Sequence, residues 1–238
     1  MRVQKGLLFL VVLVLLLISI GKSADAEEGR HEEMAVTESM SSPLMHEGRK
    51  AHTHMEAHMK WTTLRPQTPV DQQRAEEIVK TLQVALEKYR DYRVAEKDGF
   101  KPFLPQFPQP MYHFTNYWQG FKAAFTFDPA RPTSLLYKKT ADGYELIGAM
   151  YTAPKGMTEE KLNERIPLSV ARWHAHINIC LPPRSQAQQA DWTKFGFRGS
   201  IATAEECARA SGRFWPQIFG WMVHVYPFEE ASEKIWSQ

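Results

Sequence analysis

The chain has 238 residues, 43% of them hydrophobic and 24% charged, with 29 Lys and Arg against 27 Asp and Glu. That size suits one globular domain with a sizeable core. So even a charge balance argues against a nucleic-acid or membrane-surface partner.

Arg2 and Lys5 precede an apolar run from Leu7 to Ile20, followed by Ser23-Ala24-Asp25-Ala26. A positive start, an apolar stretch of about 14 residues and an A-x-A site describe a secretory signal peptide, residues 1–26, cleaved after Ala26. The run falls short of the roughly 20 residues that a membrane span needs. The expected product is secreted or periplasmic, with no stable membrane anchor. Cleavage removes Arg2, Lys5, Lys22 and Asp25, which leaves 26 charges of each sign and a formally neutral mature chain.

Residues 27–67 are expected to be a disordered Met/His-rich arm and connector. Residues 27–60 contain no aromatic residue, Ile or Cys, and such a segment cannot bury enough apolar surface to order itself. It carries five histidines and five methionines, and imidazole with thioether suits copper in either oxidation state. If HTHMEAHMK turns helical, His54 and His58 share a face, as do Met55 and Met59. His52, His54, Met55, His58 and Met59 are therefore candidate auxiliary ligands; the alternative is a solvated spacer. Trp61–Val70, rich in Thr and Pro, connects the arm to the domain.

Residues 68–238 read as a single α+β domain. Thr68-Pro69 offers an N-cap and a first-turn proline. From there Ala75, Ile78, Val79, Leu82, Leu86 and Tyr89 recur at helical spacing. One long N-terminal helix to about Asp98 is expected, with Gly99 as its stop. Phe100–Pro110, with four prolines, should be an extended strap over the core. Met111–Asn116 reads as a strand, and Ser134–Lys139 and Tyr144–Thr152 as a hairpin about Ala141-Asp142-Gly143. Short helices are expected at Met157–Ile166 and after Thr203, where Thr203 and Glu206 have capping-box spacing. Trp221–Phe228 is a last strand. The sum is a mostly antiparallel sheet, open to closure as a barrel or sandwich, with short helices in loops.

The sharpest chemical signal is Arg172–Leu181, RWHAHINICL. As a strand it places His174, His176, Asn178 and Cys180 on one face and Trp173, Ala175, Ile177 and Ile179 on the other. His113 and His224 also fall on expected strands. Three neighbouring strands can then bring one, two and one imidazoles together, a donor set that suits Zn, Cu, Fe or Ni; with the Met/His arm beside it copper is preferred, zinc or iron being the alternatives. For any one of these histidines the plainer role is a core side chain hydrogen-bonded within the fold. Asn116, Tyr226 and Glu229 or Glu230 are candidates to hold the outer ring nitrogens. Cys180 and Cys207 read most simply as a disulfide in an oxidising compartment. The rival role, Cys180 as a ligand beside His174, fails on distance, about 20 Å along a straight strand.

No G-x-S-x-G, P-loop, G-x-G-x-x-G, H-E-x-x-H or C-x-x-C motif occurs. The His-x-His pair with a later histidine resembles the ligand spacing of cupin barrels, but the glycines and downstream glutamate of that pattern are missing. YHFTNY, FDPARPTSLLYKKTADGYELIGAMYTAP and RWHAHINICLPP together resemble a group of uncharacterised secreted bacterial proteins. These have an HYxN-like segment, a D-P-x-x-P-x-x-L-x-Y hairpin and a His-bearing strand. The matching residues are His113, Asn116, Asp128, Pro129, Pro132, Leu135 and Tyr137, with His174 or His176. The resemblance implies no activity. The sequence thus leads to an extracytoplasmic metal-binding protein. The alternatives are a metal-dependent oxygenase or hydrolase with Trp118 or Trp221 lining a pocket, or a secreted domain that binds a small molecule or serves a structural role without metal.

Overall fold

The computed structural model describes residues 57–238. The expected signal peptide, most of the arm, and His52, His54 and Met55 lie outside that range.

Helix α1 (Pro69–Leu86) starts where Thr68 Oγ1 accepts the Asp71 N–H at 3.1 Å, so a first-turn donor that has no helical partner is satisfied. It buries Ala75, Ile78, Leu82 and Leu86. The single helix expected to reach Asp98 is instead divided. A 3-10 turn follows at Glu87–Arg90, Asp91 is extended, and α2 (Tyr92–Lys97) begins anew. Two interactions favour the break. The Tyr89 carbonyl accepts the buried Tyr137 hydroxyl at 2.7 Å, and the Asp91 carboxylate caps α2 through the Arg93 N–H at 3.0 Å. Gly99, at φ +92°, follows α2 in a left-handed conformation that costs glycine little.

Among the described residues eight strands follow in order as β1 (Met59–Trp61), β2 (Lys101–Pro102), β3 (Tyr112–Thr115), β4 (Ser134–Thr140), β5 (Gly143–Ala153), β6 (His174–Leu181), β7 (Arg213–Gln217) and β8 (Trp221–Val225). They pair antiparallel in the order β1-β6-β8-β5-β4-β3-β2, with β7 on β6. The sheet is open, so the barrel closure allowed by the sequence does not occur. Short helices α3 (Tyr117–Ala123), α4 (Glu159–Arg165) and α5 (Ala204–Arg209) fill the connections, and α6 (Ser232–Ile235) follows the last strand. Thr203 caps α5 as its spacing to Glu206 predicts, and Thr158 caps α4. Among the described residues no helix is long and apolar enough to cross a membrane.

The fold begins ahead of Thr68. Residues 57–62, assigned by composition to the arm and connector, run along β6. The Ile177 N–H donates to His58 O, Thr62 N–H to Trp173 O and Trp173 N–H to Thr62 Oγ1, at 2.9–3.0 Å. MKW is too short and too polar to specify a strand alone; β6 supplies its partners.

Alternation gives the sheet two faces. One carries Tyr112, Phe114, Leu135, Tyr137, Ala149, Tyr151, Trp173, Ala175, Val223 and Val225, packed with the apolar stripe of α1 into the main core. The other carries a smaller apolar group, Leu136, Met150 and Met222, with Met111, Ile147, Phe219 and Tyr226 against it. The strap from Phe103 to Pro110 folds over this second side, where the Phe103 ring meets Phe219 at 6.0 Å.

Strand β6 does not alternate to its end. Asn178 lies at φ +56°, and its amide donates to the Ala57 carbonyl at 3.0 Å. Before that residue β6 pairs with β1 and β8; from Ile177 onward it pairs with β7. Cys180 is thus in a separate small cluster with Ile201 and Cys207, to which it is disulfide-bonded. The Gly212 backbone presses on this bridge so closely that a Cβ there would stand 2.5 Å from Cys180 Sγ.

Candidate metal centre

All four strand histidines lie on the sheet face away from α1. Successive rings meet in a chain: His113–His224 centroids are 5.5 Å apart, His224–His174 5.0 Å and His174–His176 5.8 Å. The strand order explains this. His174 and His176 sit two apart on β6, His224 is on the adjacent β8, and His113 on β3 reaches toward it across β4 and β5. His113 Nε2 and His224 Nε2 are 3.4 Å apart. Two imidazole nitrogens sharing a tetrahedral zinc-like ion at about 2.0–2.1 Å would stand roughly 3.3–3.4 Å apart. Among the described residues, however, no three His, Cys, Asp or Glu side chains already stand as a complete ligand set.

The cluster is dry. His174 is 3% exposed and His224 9%, with Trp61 5.2 Å from the His174 ring and Phe197 4.8 Å from the His176 ring. Burial disfavours the imidazolium form. It holds His113 and His176 down at about 4 and His174 at about 3, and drives His224 well below the usual imidazole range. Neighbouring imidazoles push the same way: His176 on His113, His58 on His176, and His174 foremost on His224. At neutral pH these rings are uncharged, the form that ligates metal. Nδ1 of His174, His176 and His224 is buried without a hydrogen-bond partner. Each such atom costs about 1–3 kcal/mol unless something satisfies it.

The other candidate residues divide. Met59 is on β1 directly opposite His176, while Met55, its expected helical partner, lies outside the described residues. His58 is 1% exposed, and its Nε2 donates to the Gly199 carbonyl at 2.7 Å. It fastens the start of β1. Asn116, expected beside a ligand ring, caps α3 instead: Oδ1 accepts the Trp118 and Gln119 N–H groups at 3.0 Å, and Nδ2 donates to Asp98 O. Tyr226 is near, its ring 6.3 Å from His224, but its hydroxyl donates to Met111 Sδ at 3.5 Å. Glu229 and Glu230 are exposed, and among the described residues neither is bonded to a histidine. Gln238, unnoticed in the sequence, clamps His224 by accepting its N–H at 2.9 Å and donating to its carbonyl at 3.0 Å.

Neither tryptophan expected beside the ion is there. Trp118 is 61% exposed on α3, stacked on Phe121, and Trp221 is buried in the main core on the opposite sheet face. Two cavities of about 70 and 290 Å³ are lined by Gln119, Asp128 and Tyr151 and by Arg74, Phe127 and Arg165, without a histidine. Comparison with protein families, curated proteins and solved structures returns no match.

Proposed function

We propose that this protein binds a transition-metal ion, copper preferred, on the histidine face of its sheet, after export to an oxidising compartment. The observation that carries this reading is the convergence of four neutral, strand-borne imidazoles on one face, three of them with an unpartnered ring nitrogen. A ring-to-ring hydrogen bond accounts for the 3.4 Å contact of His113 with His224. It leaves the Nδ1 atoms of His174, His176 and His224 unpaired, and an ion bound by the reoriented rings offsets that cost. Loading therefore involves His174 and His176 turning toward the His113–His224 pair. The Cys180–Cys207 disulfide supports the oxidising compartment, as does the leader read from the sequence. The arm, dense in Met and His, is suited to collecting the ion.

The test is elemental analysis of the mature full-length protein after exposure to copper, zinc and iron. The variants are His113→Asn with His224→Gln, and His174→Asn with His176→Gln. One equivalent of copper, held through desalting and lost in both pairs while the arm remains, is the expected result. Equal retention by wild type and both variants overturns the site.

A further inference from the structure

The second sheet face holds sulfur as well as nitrogen. Strand register sets Met59 opposite His176, Met222 opposite His174 and Met150 opposite His224. Directly opposed residues in an antiparallel pair project on the same face with Cβ atoms about 4.5–5.5 Å apart. Along β8 the order Met222-Val223-His224 repeats the pairing within one strand, since residues two apart share a face. Met111-Tyr112-His113 has the same spacing at the start of β3, and Met111 Sδ accepts the Tyr226 hydroxyl. Met150 and Met222 are each 7% exposed, held in a dry setting rather than lying along the surface.

We infer that the histidine site is built for a soft monovalent ion, cuprous copper or its stand-in silver, with the thioethers of Met150 and Met222 joining the imidazoles as ligands. This deepens the metal-binding reading and rests on it. Thioether sulfur selects Cu(I), whereas zinc and ferrous iron favour imidazole, thiolate or carboxylate. The opposed residues of the site bring no carboxylate: His176, His174 and His224 face methionines, and His113 faces Leu136. A low-coordinate soft ion needs no full set of four ligands already in place. Methionine is also a common gap-filler in cores, and that role predicts no response to metal.

The experiment uses the mature full chain with 13C-methyl methionine, titrated with Ag(I) and separately with Zn(II). Met150→Leu and Met222→Leu assign the two sheet resonances apart from those of the arm. Ag(I) is expected to shift both methyl signals and the core imidazole signals in step. The double leucine variant should weaken Ag(I) at the sheet site by roughly 10–100-fold, at least the loss that removing an outer-shell partner brings. Imidazole signals that respond to either ion while both methyl signals stay still overturn the thioether assignment and leave the histidine site standing. If neither ion moves the imidazoles, both fall.

Discussion

Lowering the pH from 7 to 5 should cost this fold far more than an ordinary domain of its size. His113, His174 and His176 are held at about 4, 3 and 4 in the folded chain, against about 6.5 when unfolded. The unfolded state therefore binds protons first as pH falls. The stabilisation is fully present above pH 6.5 and is lost progressively as pH drops toward the folded values, because protons taken up by the unfolded chain pull the equilibrium its way. Between pH 7 and 5 each of the three groups costs about 2 kcal/mol by that linkage, together about 5–6 kcal/mol. His224, also depressed, adds to the loss. Domains of this kind have about 5–15 kcal/mol in total, so the metal-free protein should be close to unfolding at pH 5. Urea denaturation followed by tryptophan fluorescence, with chelator present, measures the slope. His113→Asn should shallow it by about one proton. A urea midpoint that hardly moves between pH 7 and 5 would mean that the imidazoles are hydrated or accept protons in place, and the dry cluster would be refuted.

Two further perturbations probe the frame around the site. Asn178→Val forces a β-branched residue to φ +56° and should cost at least about 1–2 kcal/mol. Asn178→Gly should cost less than that, losing chiefly the bond to Ala57 O; equal urea midpoints for the two variants would sink the backbone argument. His58→Ala removes the buried bond to the Gly199 carbonyl and should destabilise by about 1–3 kcal/mol. It should also speed hydrogen exchange at the Ile177 and Thr62 amides, which bridge β1 and β6; unchanged exchange there would show that β1 docks without it.

Much of the site's geometry was legible because strand alternation is local. His174 and His176 share a face, as RWHAHINICL implies, and His113 and His224 meet them once the strand order is known. That order is tertiary, and no period in the sequence encodes it. Asn178 escaped because asparagine tolerates left-handed backbone at a position that otherwise fits the alternation. The short polar β1 has no apolar signature of its own, and Pro216 in β7 argues locally against a strand. Asn116 misled because an amide immediately before a helix is as good a cap as a ligand partner. The Met-x-His spacing at Met111 and Met222 was the overlooked local sign of the sulfur on this face.

One polypeptide segment, β6, both aims two imidazoles and ends in a covalent anchor at Cys180. The crosslink joins residues 27 apart in sequence, which by chain entropy corresponds to about 3.5 kcal/mol. A reduced chain loses that constraint at the far end of the strand that carries His174 and His176.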